Sequence, residues 1–443
     1  MNNHSIFKFK IFVFGCQMNK NDAERATTFL QSLGGQPADD ENEADLMVVL
    51  ACSVRQSAVD RLYGLARKWR LRSNPPVLLL SGCLHEKDQE KFLKKYDLVL
   101  SIEDLPRWGN ELASYFSIQE YLQTQSEQGD YFAINPDSQK KYSVFVPIMT
   151  GCNNFCSYCI VPYTRGRERS RPVAEVLAEV KQAIKDGAKE IIFLGQNVNS
   201  YAPADSETFS VENPYKQSAF AKLLWEANRL PGLERMYFTA SHPKDMSDEV
   251  IDALGLKKHL NYLHLPLQSG SDTVLQRMNR KYTVADYLKI VEKVRQVRPN
   301  IALGTDFIIG FCGETEAEFQ ETLDTYKKIK FDISYHSKYS QRRGTVAAKT
   351  MKDDVPLDLK KERWFRIQHL MEAITNEKNK QYQDQVLSVL FDAYDEKKQL
   401  LSGQSRELKL VFAEGGSADD VGKIYDVKID KTSTWALWGK IIK

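Results

Sequence analysis

Residues 144–159 read Val144-Phe145-Val146-Pro147-Ile148-Met149-Thr150-Gly151-Cys152-Asn153-Asn154-Phe155-Cys156-Ser157-Tyr158-Cys159. The opening residues form a near-continuous apolar run, as expected of a strand buried on both faces of a parallel sheet. The residues that follow are a polar, Gly- and Asn-containing loop with three cysteines at C-x3-C-x2-C spacing. In α/β folds, sites are built where a strand ends and its loop begins.

Outward from this point the same alternation continues. Strands are expected at Val144–Met149, Glu190–Leu194, Arg235–Thr239, Tyr262–Leu265, Ile301–Ile309 and Ile333–Lys338, with helical periodicity between them, as in Val173–Asp186 and Thr283–Val297. Six βα units predict an open, partial (βα)6 barrel. Upstream, apolar runs at Lys8–Phe14, Leu46–Leu50 and Val77–Leu80 alternate with helical patterns at Lys20–Leu33 and Ser57–Arg72. This is a small doubly wound α/β domain. Between the two, Ala113–Lys141 is polar and reads as a region containing a linker. Lys360–Gln385 reads as one long helix. The remainder shows short strand patterns at Gln385–Ala393, Lys409–Phe412, Lys423–Ile429 and Ala436–Ile442, the mark of a small antiparallel β-barrel. The expected division of this α/β chain is 1–125, a linker at 126–142, 143–379 and 380–443.

The 443 residues carry 61 basic and 59 acidic side chains, a formal net charge of +2. That excludes a globally basic nucleic-acid coat but leaves room for local basic faces. No apolar stretch reaches the ~18 residues of a membrane span. The N-terminus lacks a basic region followed by an apolar one, so no signal peptide is expected. A cytoplasmic location with reduced thiols follows as an expectation.

Seven cysteines are too few for a disulfide scaffold and odd in number. Cys152, Cys156 and Cys159 lie close enough to serve three irons of a [4Fe–4S] cluster, leaving one iron open. Zinc is the rival, but its structural sites want four ligands and no His lies in the loop. Cys16, Cys52 and Cys83 each stand at or just beyond the end of an expected strand. In a parallel sheet those ends share one edge, so the three converge as a second three-thiolate site. The alternative for each is a small buried residue at a strand end. Cys312 has no cysteine neighbour in sequence and reads as a free small hydrophobe.

With these residues in view, the chain resembles the radical S-adenosylmethionine methylthiotransferases. The resemblance rests on the three-cysteine loop and on Phe14-Gly15-Cys16-Gln17-Met18-Asn19, Cys52-Ser53-Val54-Arg55, Gly82-Cys83 and Val161-Pro162-Tyr163-Thr164-Arg165-Gly166. It extends to Leu194–Val198, Leu265–Ser271 and Tyr339–Thr345. Thr239-Ala240-Ser241-His242-Pro243 and Val161–Gly166 look most like the MiaB-type branch, which methylthiolates a prenylated adenosine beside the tRNA anticodon. The RimO-like branch, acting on a ribosomal-protein aspartate, and the MtaB-like branch, acting on threonylcarbamoyl-adenosine, are the sister readings. A non-catalytic iron–sulfur RNA-binding protein is a reading from another class, disfavoured by the intact cofactor segments.

The resemblance implies two [4Fe–4S] clusters and S-adenosyl-L-methionine as cofactors. Cys152, Cys156 and Cys159 would hold the cluster that chelates S-adenosylmethionine, and Cys16, Cys52 and Cys83 the auxiliary one. Tyr158 would sit near the adenine, with Gly195, Gln196 and Asn197 near the amino-acid end. Gln268 and Ser269 would lie on the ribose side, and Asp306, Ile308 and Gly310 in the adenine strand and turn. Residues 380–443 resemble a TRAM domain, a module associated with RNA binding. Implied partners are a tRNA anticodon loop, an electron donor and a sulfur source, with no membrane. Leu50-Ala51, His85 and Cys312 depart from the family pattern. Two basic clusters are candidates for RNA phosphate: Arg165, Arg167 and Arg169 beside the loop, and Arg277, Arg280 and Lys281. Against this stands a solvated helix entry, the usual fate of a charge run.

Overall fold

The computed structural model describes residues 6–52, 56–118, 129–136, 138 and 140–442. They group into two compact units. The first is drawn from Met1–Gln139, Thr150–Arg169 and Arg342–Lys349, and the second from Lys140–Met149, Ser170–Gln341 and Thr350–Lys443.

In the first unit, five parallel strands are β1 (Phe7–Phe14), β2 (Gly35–Pro37), β3 (Leu46–Cys52), β4 (Val77–Cys83) and β5 (Leu98–Val99), in the order β2-β1-β3-β4-β5. Leu46 to Ala51 are buried without a break, which is why this strand reads as an unalternating apolar run. Helices α1 (Gln17–Ser32) and α2 (Gln56–Arg70) connect the strands. One apolar cluster includes Phe9, Phe29, Leu30, Val48 and Leu79, and a second includes Met47, Val49, Trp69, Leu78 and Leu80. The alternate side chains of β3 and β4 thus feed two separate cores, as the period of two demands. The stretch read as linker holds packed chain: Tyr131 and Phe132 are buried in this unit. Its residues 119–128 lie outside the described residues.

In the second unit, six parallel strands run β6 (Ser143–Pro147), β7 (Glu190–Leu194), β8 (Arg235–Phe238), β9 (Tyr262–His264), β10 (Ala302–Ile309) and β11 (Ile333–Lys338). β6, β7 and β8 form one sheet with β7 central, and β9, β10 and β11 another with β10 central. A bridge between Met236 and His259, with the Met236 amide donating to Lys258 and the Leu260 amide to Met236, links β8 toward β9. This is the partial (βα)6 barrel that the alternation predicts. Capping boxes at Thr283 with Asp286 and Thr315 with Glu318 fix the starts of helices Val284–Val297 and Glu316–Ile329. The long helix runs Leu357–Asn379, so its end falls short of Gln385.

The second unit also contains a closed five-stranded barrel: β12 (Val386–Asp395), β13 (Leu400–Ser405), β14 (Leu410–Glu414), β15 (Ile424–Thr432) and β16 (Leu437–Ile441), closing in the order β12-β13-β14-β16-β15. Two details correct the sequence reading. β13 has no strand-like composition, because Ser402, Gly403, Gln404 and Ser405 interrupt it. A Cβ on Gly403 would come within 2.2 Å of the Leu390 carbonyl oxygen, so close strand approach demands glycine there. The barrel is also not wholly antiparallel, since β14 and β16 pair in parallel. Buried charges join this barrel to the βα core: Lys409 reaches Asp332 at 3.2 Å, and Arg235 donates to the Gln404 and Ser405 carbonyls.

Among the described residues no helix is long and apolar enough to cross a membrane. Phe307 on β10 is fully buried and packs on Tyr326 and Phe331. Phe307→Ala is expected to cost about 3–5 kcal/mol, read as a lowered denaturation midpoint. A loss under about 1 kcal/mol would show that β10 is not central to this core.

Candidate functional site

In the first unit Cys16, Cys52 and Cys83 stand at one edge of the sheet, with Cys52 and Cys83 side by side. Cys16 caps the start of α1 just beyond β1. Cys52 and Cys83 are register partners at the ends of β3 and β4. The Cys52 thiol donates to Cys83, and this, with the nearby Arg165 guanidinium, outweighs burial and brings the Cys83 thiol down to about 6. Gly82, with φ +107°, sets this end of β4; a Cβ there would meet the Ala51 carbonyl oxygen at 2.3 Å.

A polar network backs this edge. The Cys16 thiol donates to Asn19 Oδ1 at 3.7 Å, and Asn19 Nδ2 donates to Asp22 at 3.3 Å. Asp22 pairs with Arg165, and Tyr131 donates its hydroxyl to Asp22. Arg165 Nε donates to Cys83 Sγ at 3.2 Å. Asn19, Asp22 and Arg25 are fully buried, one stripe along α1 at three-residue spacing. The apolar positions of the helix drew the sequence reading and this polar face escaped it. The available signal was a set of polar residues, Asn19, Asp22 and Arg25, recurring on one face directly after a strand-end cysteine.

The C-x3-C-x2-C loop belongs to the same unit. Cys152 and Cys156 are buried and Cys159 is half-buried; none is in a disulfide. Burial pushes the Cys152 thiol up. Phe155 takes a left-handed φ of +48°, and the Cys159 amide donates to the Cys156 carbonyl. Gly151 has φ +75°, and a Cβ on it would lie 2.0 Å from the Arg167 carbonyl oxygen. Tyr158 is half-buried beside these thiols in sequence. Among the described residues no group of three or more His, Cys, Asp or Glu side chains is gathered to hold a metal ion. A mononuclear zinc site needs such a gathering about one point. A cubane hands each thiolate its own iron, so two sets of three cysteines outside any disulfide have the donor chemistry for it.

The remaining predicted cofactor residues lie in the second unit. Gly195, Gln196 and Asn197 follow β7. A Cβ on Gly195 would press on Met149 at 2.6 Å. Asn197 donates to Asp245 at 2.7 Å, while Gln196 Oε1 and Asn197 Oδ1 are buried acceptors without a donor. Gln268, at φ +73°, is stitched to β10: its amide donates to the Asp306 carbonyl, and its carbonyl accepts from Ile308. Gln268 is therefore bridged to Phe307, between Asp306 and Ile308 on β10. Asp306 also meets His264 Nε2 at 2.7 Å. Gly310, at φ +69°, leaves room for the buried Lys360. Cys312 is buried, as expected of a small hydrophobe.

The two basic clusters divide. Arg165 is buried and held by Asp22 and Cys83, so it is withdrawn as an RNA contact. Arg277 spends both terminal nitrogens on Glu318 at 2.9 Å. Arg280 donates to the Tyr282 hydroxyl and the Pro266 carbonyl. These two are committed within the fold. Arg167, over the Phe155 ring at 4.5 Å, is exposed, as are Arg169, paired with Asp130 at 2.7 Å, and Lys281.

The radical SAM superfamily profile matches residues 146–326, and a profile described as uncharacterized protein family UPF0004 matches residues 8–102. The tRNA-2-methylthio-N(6)-dimethylallyladenosine synthase of Clostridium tetani is 39% identical, over 98% of this chain and 96% of its own. The protein of the same name from Acetivibrio thermocellus is 40% identical, over 97% and 90%. Among solved structures, the radical S-adenosylmethionine methyltransferase TsrM from Kitasatospora setae aligns with a TM-score of 0.49 and 15% identity, over 74% of this chain and 72% of that one.

The loop geometry makes a separable prediction. Gly151 and Gly166 both have positive φ, but an added Cβ at Gly166 meets nothing within 4 Å. Gly151→Ala is expected to lower stability by about 1–3 kcal/mol, and Gly166→Ala by less. Thermal denaturation of the two variants side by side checks this. Equal losses would contradict it.

Proposed function

The chain belongs to the radical SAM methylthiotransferase family of the tRNA-2-methylthio-N(6)-dimethylallyladenosine synthases, and from that premise we propose the part each residue plays. The enzyme inserts sulfur and a methyl group at C2 of a prenylated adenosine beside the tRNA anticodon. The observation that supports this reading is full-length similarity to these synthases, in a chain that keeps both cysteine triplets out of disulfides. A purine C2–H offers no acidic proton, so acid–base catalysis has little to act on. When bound, an iron–sulfur cluster with S-adenosylmethionine supplies the radical chemistry that such a position needs.

This chain's residues hold and orient. Cys152, Cys156 and Cys159 bind the first [4Fe–4S] cluster, and Cys16, Cys52 and Cys83 the second. Tyr158 bears on the adenine of S-adenosylmethionine. The buried acceptors Gln196 Oε1 and Asn197 Oδ1 lack donors, and a buried acceptor is costly to leave so. An ammonium group at the cofactor's amino-acid end would be a suitable donor for such acceptors. Gly195 belongs to the same amino-acid-end segment, Gln268 and Ser269 serve the ribose side, and Asp306, Ile308 and Gly310 the adenine strand and turn. The exposed Arg167, Arg169 and Lys281 contact anticodon-loop phosphate. An anticodon loop is single-stranded, so presenting its target base costs less than flipping one from a duplex. Residues 1–125 carry the auxiliary thiols, 143–379 the radical core and 380–443 the barrel that grips RNA. An electron donor and a sulfur source complete the reaction, which is cytoplasmic.

Nucleoside mass spectrometry of tRNA tests the activity. Cells lacking the gene are expected to lose methylthiolated adenosine and to regain it on complementation. Unchanged methylthiolated adenosine would reject the tRNA reading. A Cys152→Ala/Cys156→Ala/Cys159→Ala variant is expected to lose activity to background while retaining one cluster. Residual turnover in that variant would contradict the assigned role of the loop.

A further inference from the structure

Arg165 is one of the most deeply buried charges in the first unit, with its side chain about 1% exposed. Its partner Asp22 is fully buried. A buried ion pair is seldom kept for stability, because a well-packed apolar pair of similar volume does as well or better. The arrangement here is more specific than a pair. One edge of the guanidinium takes Asp22, and Nε points away to Cys83 Sγ at 3.2 Å. Tyr131 and Asn19 both donate to Asp22, which fixes the carboxylate and so the guanidinium. The same Asn19 accepts from the Cys16 thiol. Two of the three thiols at this sheet edge are thus tied into one polar network that ends on Arg165. Arg165 also lies one short helix beyond Cys159, its amide donating to the Val161 carbonyl.

We propose that Arg165 is a positioning residue for the second cysteine triplet: it orients the Cys83 sulfur and raises the reduction potential of the cluster held there. Resting on the two-cluster reading above, the inference follows from elementary electrostatics. A hydrogen bond from a permanent cation to a ligand sulfur stabilises the more negative, reduced state of a cluster. In a buried site that effect is little screened. Lysine cannot replace arginine here, since one ammonium lacks the planar fork that serves a carboxylate and a sulfur on different sides.

The test is a redox titration, followed by electron paramagnetic resonance, of full-length protein in the Cys152→Ala/Cys156→Ala/Cys159→Ala background, where the second cluster stands alone. Arg165→Lys keeps the charge beside Asp22 and removes the donor to Cys83. Asp22→Asn/Arg165→Gln removes both charges together, leaves neither unpaired, and carries the test if Arg165→Lys does not fold. Both are expected to retain the cluster with a more negative midpoint potential. A bound cluster whose potential is unmoved in whichever of these variants folds overturns the proposal. Absence of any cluster from the background protein itself would instead overturn the two-cluster reading, so the two failures are distinct.

Discussion

A parallel sheet ends all its strands on one edge, and that constraint decides where the chemistry of the first unit lies. β1, β3 and β4 are neighbours in the order β1-β3-β4, in register from Phe9 with Leu46 to Cys52 with Cys83. A cysteine at or just past each strand end therefore shares that edge with the other two, although dozens of residues separate them in sequence. Slipping any one strand by a single residue would turn its side chains to the opposite face.

The second requirement is charge compensation under that edge. Asn19, Asp22, Arg25 and Arg165 are buried polar groups in a domain otherwise packed with Phe, Leu and Val. Each is bonded, as burial demands. The stripe on α1 reaches across the unit to Tyr131, Phe132 and Arg165, so helix, cysteine loop and the segment near residue 131 form one network. Arg25 lies over the Tyr131 and Phe132 rings and donates to the Phe132 carbonyl. This accounts for the ordered packing of a segment that reads as linker.

Much of this was legible in the residues themselves. Period-two and continuous apolar runs mark nearly every long strand, because burial on a sheet face depends on local pattern. The convergence of Cys16, Cys52 and Cys83 follows from strand ends alone. What stayed hidden depends on partners distant in sequence. Asp22 looks like a solvated helix residue until Arg165, far along the chain, is placed against it. Arg165, Arg277 and Arg280 look like a basic surface for the same reason, yet each is spent inside its own unit. β13 was missed because Gly403 serves a close backbone approach, a requirement set by its neighbour Leu390 rather than by its own segment. Tyr131 and Phe132 were missed because polar flanks outvoted two aromatics.

In the function proposed above, six cysteines form two independent cluster sites. Iron and sulfide analysis of anaerobically reconstituted full-length protein tests it most directly, alongside a Cys16→Ala/Cys52→Ala/Cys83→Ala variant. The account predicts about eight irons per chain in the natural protein and about four in the variant. About four irons in both would contradict it.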